Sequence, residues 1–119
     1  MSQEFQPGDF LIFQLESGFG LLRFLANTER DGEKIWHLAA YNDLFLDADS
    51  VDRGLANPEK LSVSQPHLAL TTRAFESTQV AGMGNLPLAD SDLIALDAWV
   101  ADKNAEVSDR SVRLLLGLR

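Results

Sequence analysis

The sequence predicts an α+β domain in which a small curled antiparallel β-sheet, or an SH3-like barrel, precedes a C-terminal amphipathic helix. Two patterns predict this class. Short apolar stretches separated by turn residues fill the first forty positions, and an apolar repeat with helical spacing begins at Ser91. The 119 residues are the size of one domain, and no repeat or linker divides them. Strands first and a helix later are typical of the α+β class, so we predict a single domain over residues 1–119.

The first three predicted strands lie near residues 9–16, 20–27 and 34–41. In "DFLIFQLE" apolar side chains alternate onto both faces, which indicates a strand covered on two sides or curled into a barrel. "ESGFG" supplies residues for the first reversal, and Asp31-Gly32 is a strong hairpin signal for the second. We therefore expect an antiparallel meander, with the first hairpin serving mainly as scaffold.

The remaining elements follow from the rest of the chain. The acidic stretch after Tyr41 has room for one short helical turn before Gly54, and "QPHLALTTRAF" predicts a strand starting after Pro66. "STQVAGMGNLP" predicts a short strand ending in a glycine-rich turn. A helix is expected near residues 91–103, and its predicted apolar stripe consists of Leu93, Leu96, Trp99 and Val100. The pattern does not decide the type of the last element, 108–119.

Composition excludes several classes of function. The chain has no cysteine, so disulfide frameworks and thiolate metal sites are excluded. With neither a basic nor an apolar segment in "MSQEFQPGD", and no apolar run long enough for a bilayer, we expect a cytoplasmic protein that does not bind membranes. The net charge of −8 argues against binding to nucleic acid, because such proteins concentrate positive charge.

The residues that could carry chemistry do not form a recognisable constellation. His37 and His67 lack the spacing of paired metal ligands, and the serines lie in no nucleophile elbow. "DADSVD" at 47–52 suggests a calcium loop, but the required glycine and glutamate are replaced by Asp52 and Pro58, so we expect a solvated acidic turn. The glycine pairs at 18–20 and 82–84 are expected to be turns. The sequence predicts no enzyme, no metal site and no cofactor.

Acidic side chains concentrate in two segments, 41–59 and 76–106, that could merge into one acidic face. Loops on a rigid frame commonly carry binding, and complementary charge speeds association with a basic protein. The predicted partner-binding residues are therefore aspartates of these segments: Asp43, Asp47, Asp49, Asp52, Asp90, Asp92 and Asp97.

The opening "PGDFLIFQLESGFGLLRFL" resembles the first hairpin of the immunity protein 26 type of small bacterial domain. Gly8 and Asp9 match the start of that pattern and Gly18 and Gly20 its turn, while Gly82, Pro87 and Leu88 match a later segment. The family usually has a tryptophan in its late strand, where this chain has Thr78-Gln79-Val80. The resemblance implies an immunity protein that binds a bacterial toxin and blocks it without catalysis. A basic nuclease would suit the acidic charge.

Three interpretations of function remain open at this point. The first is a non-catalytic binding protein of the immunity type. The second is a small structural or accessory domain that self-associates, as a homodimer for example, through an edge strand or an apolar patch. The third is a small-ligand binder or enzyme that uses His37 or His67 in the mouth of a barrel.

Overall fold

The computed structural model describes residues 4–118 and contains one five-stranded antiparallel sheet with short helices. The elements are, in chain order, β1 (Asp9–Leu15), β2 (Gly18–Arg30), β3 (Glu33–Phe45), α1 (Ala48–Leu55), β4 (Val63–Thr71), α2 (Thr72–Thr78), β5 (Val80–Asn85), α3 (Ile94–Ala101) and α4 (Val112–Leu116). Two 3-10 turns, Pro58–Lys60 and Asp90–Leu93, complete the described chain. The predicted α+β class is confirmed.

The strand order is β4-β3-β2-β1-β5, and the sheet is not closed into a barrel. The predicted antiparallel sheet is therefore confirmed, and the alternative of an SH3-like barrel is wrong. Closure would require pairing between the two edge strands, β4 and β5, and within the described residues these strands are not hydrogen-bonded to each other.

The three predicted strands form the meander, although β2 and β3 are longer than expected, at 13 residues each. Arg30 pairs with Glu33 across a two-residue turn in which Asp31 and Gly32 have φ angles of 55° and 81°. Positive φ at both positions defines the turn that matches the right-handed twist of a hairpin, and Asp-Gly adopts it readily. The hairpin predicted from these two residues is confirmed.

Apolar side chains are buried on both faces of the sheet, as the alternation in β1 predicts. The first face packs against α2 and α4, and includes Leu11, Phe13, Leu22, Phe24, Trp36 and Leu38. The second face packs against α1 and α3, and includes Phe10, Ile12, Leu21, Leu25 and Ala39. On the first face Trp36 stacks on Phe75 of α2, with ring centroids 4.0 Å apart.

The fourth strand ends at Thr71, so its predicted continuation through Thr72 to Phe75 is wrong, because these residues belong to α2. The Thr71 hydroxyl accepts a hydrogen bond from the backbone N–H of Ala74 at 3.1 Å and so caps the helix. The helix turns Phe75 onto the first face, where it stacks on Trp36, and this burial outweighs the β preference of the two threonines.

Both glycine pairs lie in strands, so the prediction that they are turns is wrong. Gly18 and Gly20 open β2, and Gly82 and Gly84 belong to β5. Gly20 is needed in its strand because the ring of Phe13 occupies the space where a Cβ atom would lie. Close packing, rather than chain reversal, explains this glycine.

The acidic stretch 47–52 forms the N-cap and start of α1, so the predicted short helix in this region is confirmed. The prediction that the stretch is a solvated acidic turn is wrong. The predicted C-terminal helix is also present, as the 3-10 turn and α3, and Leu93 and Leu96 contact the sheet. Val100 was expected on that stripe but is 55% exposed, because Trp99 packs its ring against the sheet and leaves Val100 facing outward.

No described helix reaches the length and apolarity that crossing a bilayer demands.

Candidate functional site

The two acidic segments lie over the same face of the sheet. Val51 of α1 is fully buried with Phe10 and Leu21, and Leu96 of α3 is buried with Leu25 and Ala39. All four sheet residues belong to the second face. The helices that carry the predicted partner-binding aspartates therefore flank one side of the molecule.

Four of the seven predicted aspartates are exposed and make no side-chain hydrogen bond or ion pair to residues 4–118: Asp49, Asp52, Asp90 and Asp97. Their carboxylates are available to a partner. We refer to these four residues as the acidic surface.

The other three predicted aspartates are engaged in the fold. Asp47 caps α1, accepting hydrogen bonds from the N–H and hydroxyl of Ser50 at 2.7 Å each, and these bonds lower its pKa. Asp43 accepts from the N–H of Ser62 at 2.7 Å. Asp92 accepts from the N–H of Ala89 at 2.8 Å. Their first role is local structure.

Arg23, which the sequence reasoning did not single out, organises the centre of the second face. It is 6% exposed and donates hydrogen bonds to the carbonyl oxygens of Leu86 and Pro87 at 2.5 and 3.2 Å. Its guanidinium lies 3.4 Å from the Asp92 carboxylate and 5.1 Å from the centroid of Phe10. Arg23 thereby fixes the segment that leads into α3. A lone arginine inside "GLLRFL" was the signal that could have found it.

A cleft of about 300 Å³ lies between α3 and the sheet beside Arg23. Its walls are mostly apolar, and Tyr41 and Asp92 add polar groups. Burial is the main cause that raises the pKa of Tyr41, so its phenol is neutral at physiological pH. The cleft adds an apolar recess beside α3.

The two histidines, placed at separate strand positions by the sequence, are in contact. His37 of β3 is fully buried, and its Nδ1 lies 2.8 Å from Nε2 of His67 on β4. The other ring nitrogen of His37, Nε2, lies 2.7 Å from the hydroxyl of Thr28 on β2. Trp99 of α3 packs edge-on against the His37 ring, with centroids 4.7 Å apart. Thr28, His37 and His67 form a hydrogen-bonded chain beneath α3.

The order Thr28–His37–His67 has the spacing of a nucleophile, a base and an orienting group. Burial, with further contributions from His67 and Arg30, lowers the pKa of His37 to about 4, so the ring binds protons weakly. The orienting group is a neutral imidazole, whose own pKa burial lowers, and not a carboxylate that would stabilise an imidazolium.

Between residues 4 and 118, no three histidine, aspartate or glutamate side chains are grouped so that they could hold a metal ion. The chain matches no protein-family model, no curated protein and no solved structure.

Proposed function

We propose that this protein is a non-catalytic binding protein that recognises a basic protein partner through the acidic surface. The observation that carries the proposal is the placement of Asp49, Asp52, Asp90 and Asp97 on elements that flank one face of the sheet, each exposed and without a partner among residues 4–118. Carboxylates on one side of a molecule make the local electrostatic potential more negative and accelerate encounter with a positively charged surface.

The pattern of residues 7–25 suggests the class of partner. Its resemblance to the immunity protein 26 type makes a basic bacterial toxin, such as a nuclease, the partner that we propose. Such binding needs no catalytic group, which agrees with the weak basicity of His37.

The experiment compares the wild-type chain with a charge-reversed variant, Asp49→Lys with Asp97→Lys. Proteins captured from the native cell by the wild type and lost by the variant are purified, and their association rates are measured against salt concentration. We expect a basic partner whose association slows as salt screens the charges, since the Debye length is about 8 Å at physiological ionic strength. Equal capture by both chains would refute the acidic surface as the recognition site.

Asp47 is unsuitable for this test because it caps α1. Asp49→Asn with Asp97→Asn provides the matched control, since it removes charge without reversing it. Its association rate should fall between those of the wild type and the reversed variant. The melting temperature should fall only slightly from the wild type to the neutral variant and again to the reversed variant, because neither side chain makes a hydrogen bond or ion pair within residues 4–118 and each contributes only a first-turn charge to its helix.

A further inference from the structure

The two edges of the sheet are protected to different degrees. At the β4 edge, the N–H of Ser108 donates to the carbonyl of Ala69 at 2.8 Å, and the N–H of Thr71 donates to the carbonyl of Ser108 at 3.0 Å. Pro66 lies within the same strand and removes a further backbone donor. The chain itself therefore occupies or blocks much of this edge.

The β5 edge has none of these protections. Its sequence, "VAGMGN", contains no charge and no proline. Within residues 4–118, β5 pairs with β1 alone, and no other backbone segment bonds to its outer side. Ala81, Gly82 and Gly84 are exposed, so no bulky side chain keeps another backbone away. An open edge of this kind is a template for pairing with a further strand.

The surroundings of β5 differ on its two sides. On the second face, Met83 packs in the cluster of Val51, and Leu55 of α1 lies next to Gly84. Helix α1 also carries the exposed Asp49 and Asp52. On the first face, the half-buried ring of Phe5 lies next to Gly82. The same helix carries one exposed cation, Arg53, so a helix of net negative charge lies on one side of the edge and an apolar ring lies on the other.

We propose that β5 is a docking edge that takes an extended segment of the basic partner as a sixth strand. Side chains of a strand alternate between faces, so basic residues at every second position would lie on the side of α1, and the apolar residues between them would contact Phe5. Main-chain hydrogen bonds supply affinity in this mode, and the alternate side chains supply specificity.

This inference rests on the proposed function, because charge selects the occupant. A second copy of the chain is the competing occupant, and its net charge of −8 would oppose the approach of a molecule with the same charge. A basic segment is attracted by the same charges.

The probe is a synthetic peptide of about ten residues that alternates lysine and valine, a length that matches an ordinary strand. The control peptide has the same side chains with every backbone N–H methylated, so it keeps the charge but has no donor for a ladder. Hydrogen exchange measured by NMR should slow at β5 amides by about tenfold or more with the first peptide and stay unchanged with the second, because only ladder pairing protects those amides. Amides of β4 should not change.

The matched variants are Ala81→Lys and Ala81→Gln, at an exposed position of β5 that pairs with Ile12. Lysine at this position repels a basic strand, so we expect the affinity for the lysine–valine peptide to fall about fivefold or more, against less than about twofold for glutamine. A chain that forms dimers through β5 without peptide would overturn the choice of occupant.

Peptide binding with unchanged β5 exchange would overturn the docking edge and leave the acidic surface as the recognition site. Failure of the lysine–valine peptide to bind would also overturn the docking edge. The proposed function would fail by a separate result, equal partner capture by the charge-reversed chain.

Discussion

Acidification should destabilise the fold through His37. The pKa of this buried ring is about 4 in the folded chain, against 6.5 for an unperturbed histidine. The unfolded state therefore binds more protons between pH 6.5 and 4, and stability is lost as the pH falls through that window. A difference of about 2.5 pKa units at about 1.36 kcal/mol each gives a loss of about 3 kcal/mol, complete near pH 4.

The assay is urea unfolding, followed by tryptophan fluorescence, at half-unit steps from pH 7.5 to 4. The chain also has 18 carboxylates, which begin to bind protons below about pH 5, so the comparison is made with His37→Phe. Phenylalanine keeps a ring against Trp99 but does not titrate. The free energy of unfolding of the wild type should fall more steeply than that of the variant between pH 6.5 and 5.

Parallel pH profiles for the two chains would refute the reasoning. They would mean that the His37 ring either keeps its ordinary pKa or becomes solvated before the chain unfolds. His67→Gln provides a second check, since burial also lowers the pKa of His67. Adding this substitution to His37→Phe should make the free energy of unfolding depend less on pH than in the single variant.

Two further predictions concern single positions of the sheet, both measured by urea unfolding. Gly20→Ala should cost about 1–3 kcal/mol because the new methyl group meets the buried ring of Phe13. Gly82→Ala should change stability by less than about 0.5 kcal/mol, because its methyl group would lie 3.8 Å from the Phe5 ring, an ordinary van der Waals distance; equal effects would contradict the packing argument. Arg23→Lys should cost about 2–4 kcal/mol, because the guanidinium reaches Asp92 with Nη1 and the two carbonyls with Nη2, whereas the donors of lysine all lie on one nitrogen; an unchanged stability would show that the charge alone suffices.

The alternation of β1 and the Asp31-Gly32 turn were sufficient to predict the meander. Each depends on residues adjacent in sequence, whose face preference and backbone freedom act over a few positions. The same local reasoning found the helix around Leu96, because its apolar spacing repeats within two turns.

Local reasoning failed where packing competes with propensity. Thr72 favours a strand by its own preference, but the cap at Thr71 and the stacking of Phe75 on Trp36 make the segment helical. Gly20 was predicted to lie in a turn because glycine is common in turns. Its actual role is to leave room for the ring of Phe13, which lies in the preceding strand and is not next to it in sequence. The conformation of these residues depends on partners that the local pattern does not contain.

The sequence by itself determined the class of fold, the first hairpins and the excess of acidic charge, since each is a property of short stretches or of composition. The tertiary structure decided that the sheet stays open and that α1 and α3 lie over one face. It also brought His37 to His67, 30 positions away, and Arg23 to the carbonyl of Leu86, 63 positions away. Contacts between such distant residues depend on how the whole sheet and its helices pack, and no local period encodes them.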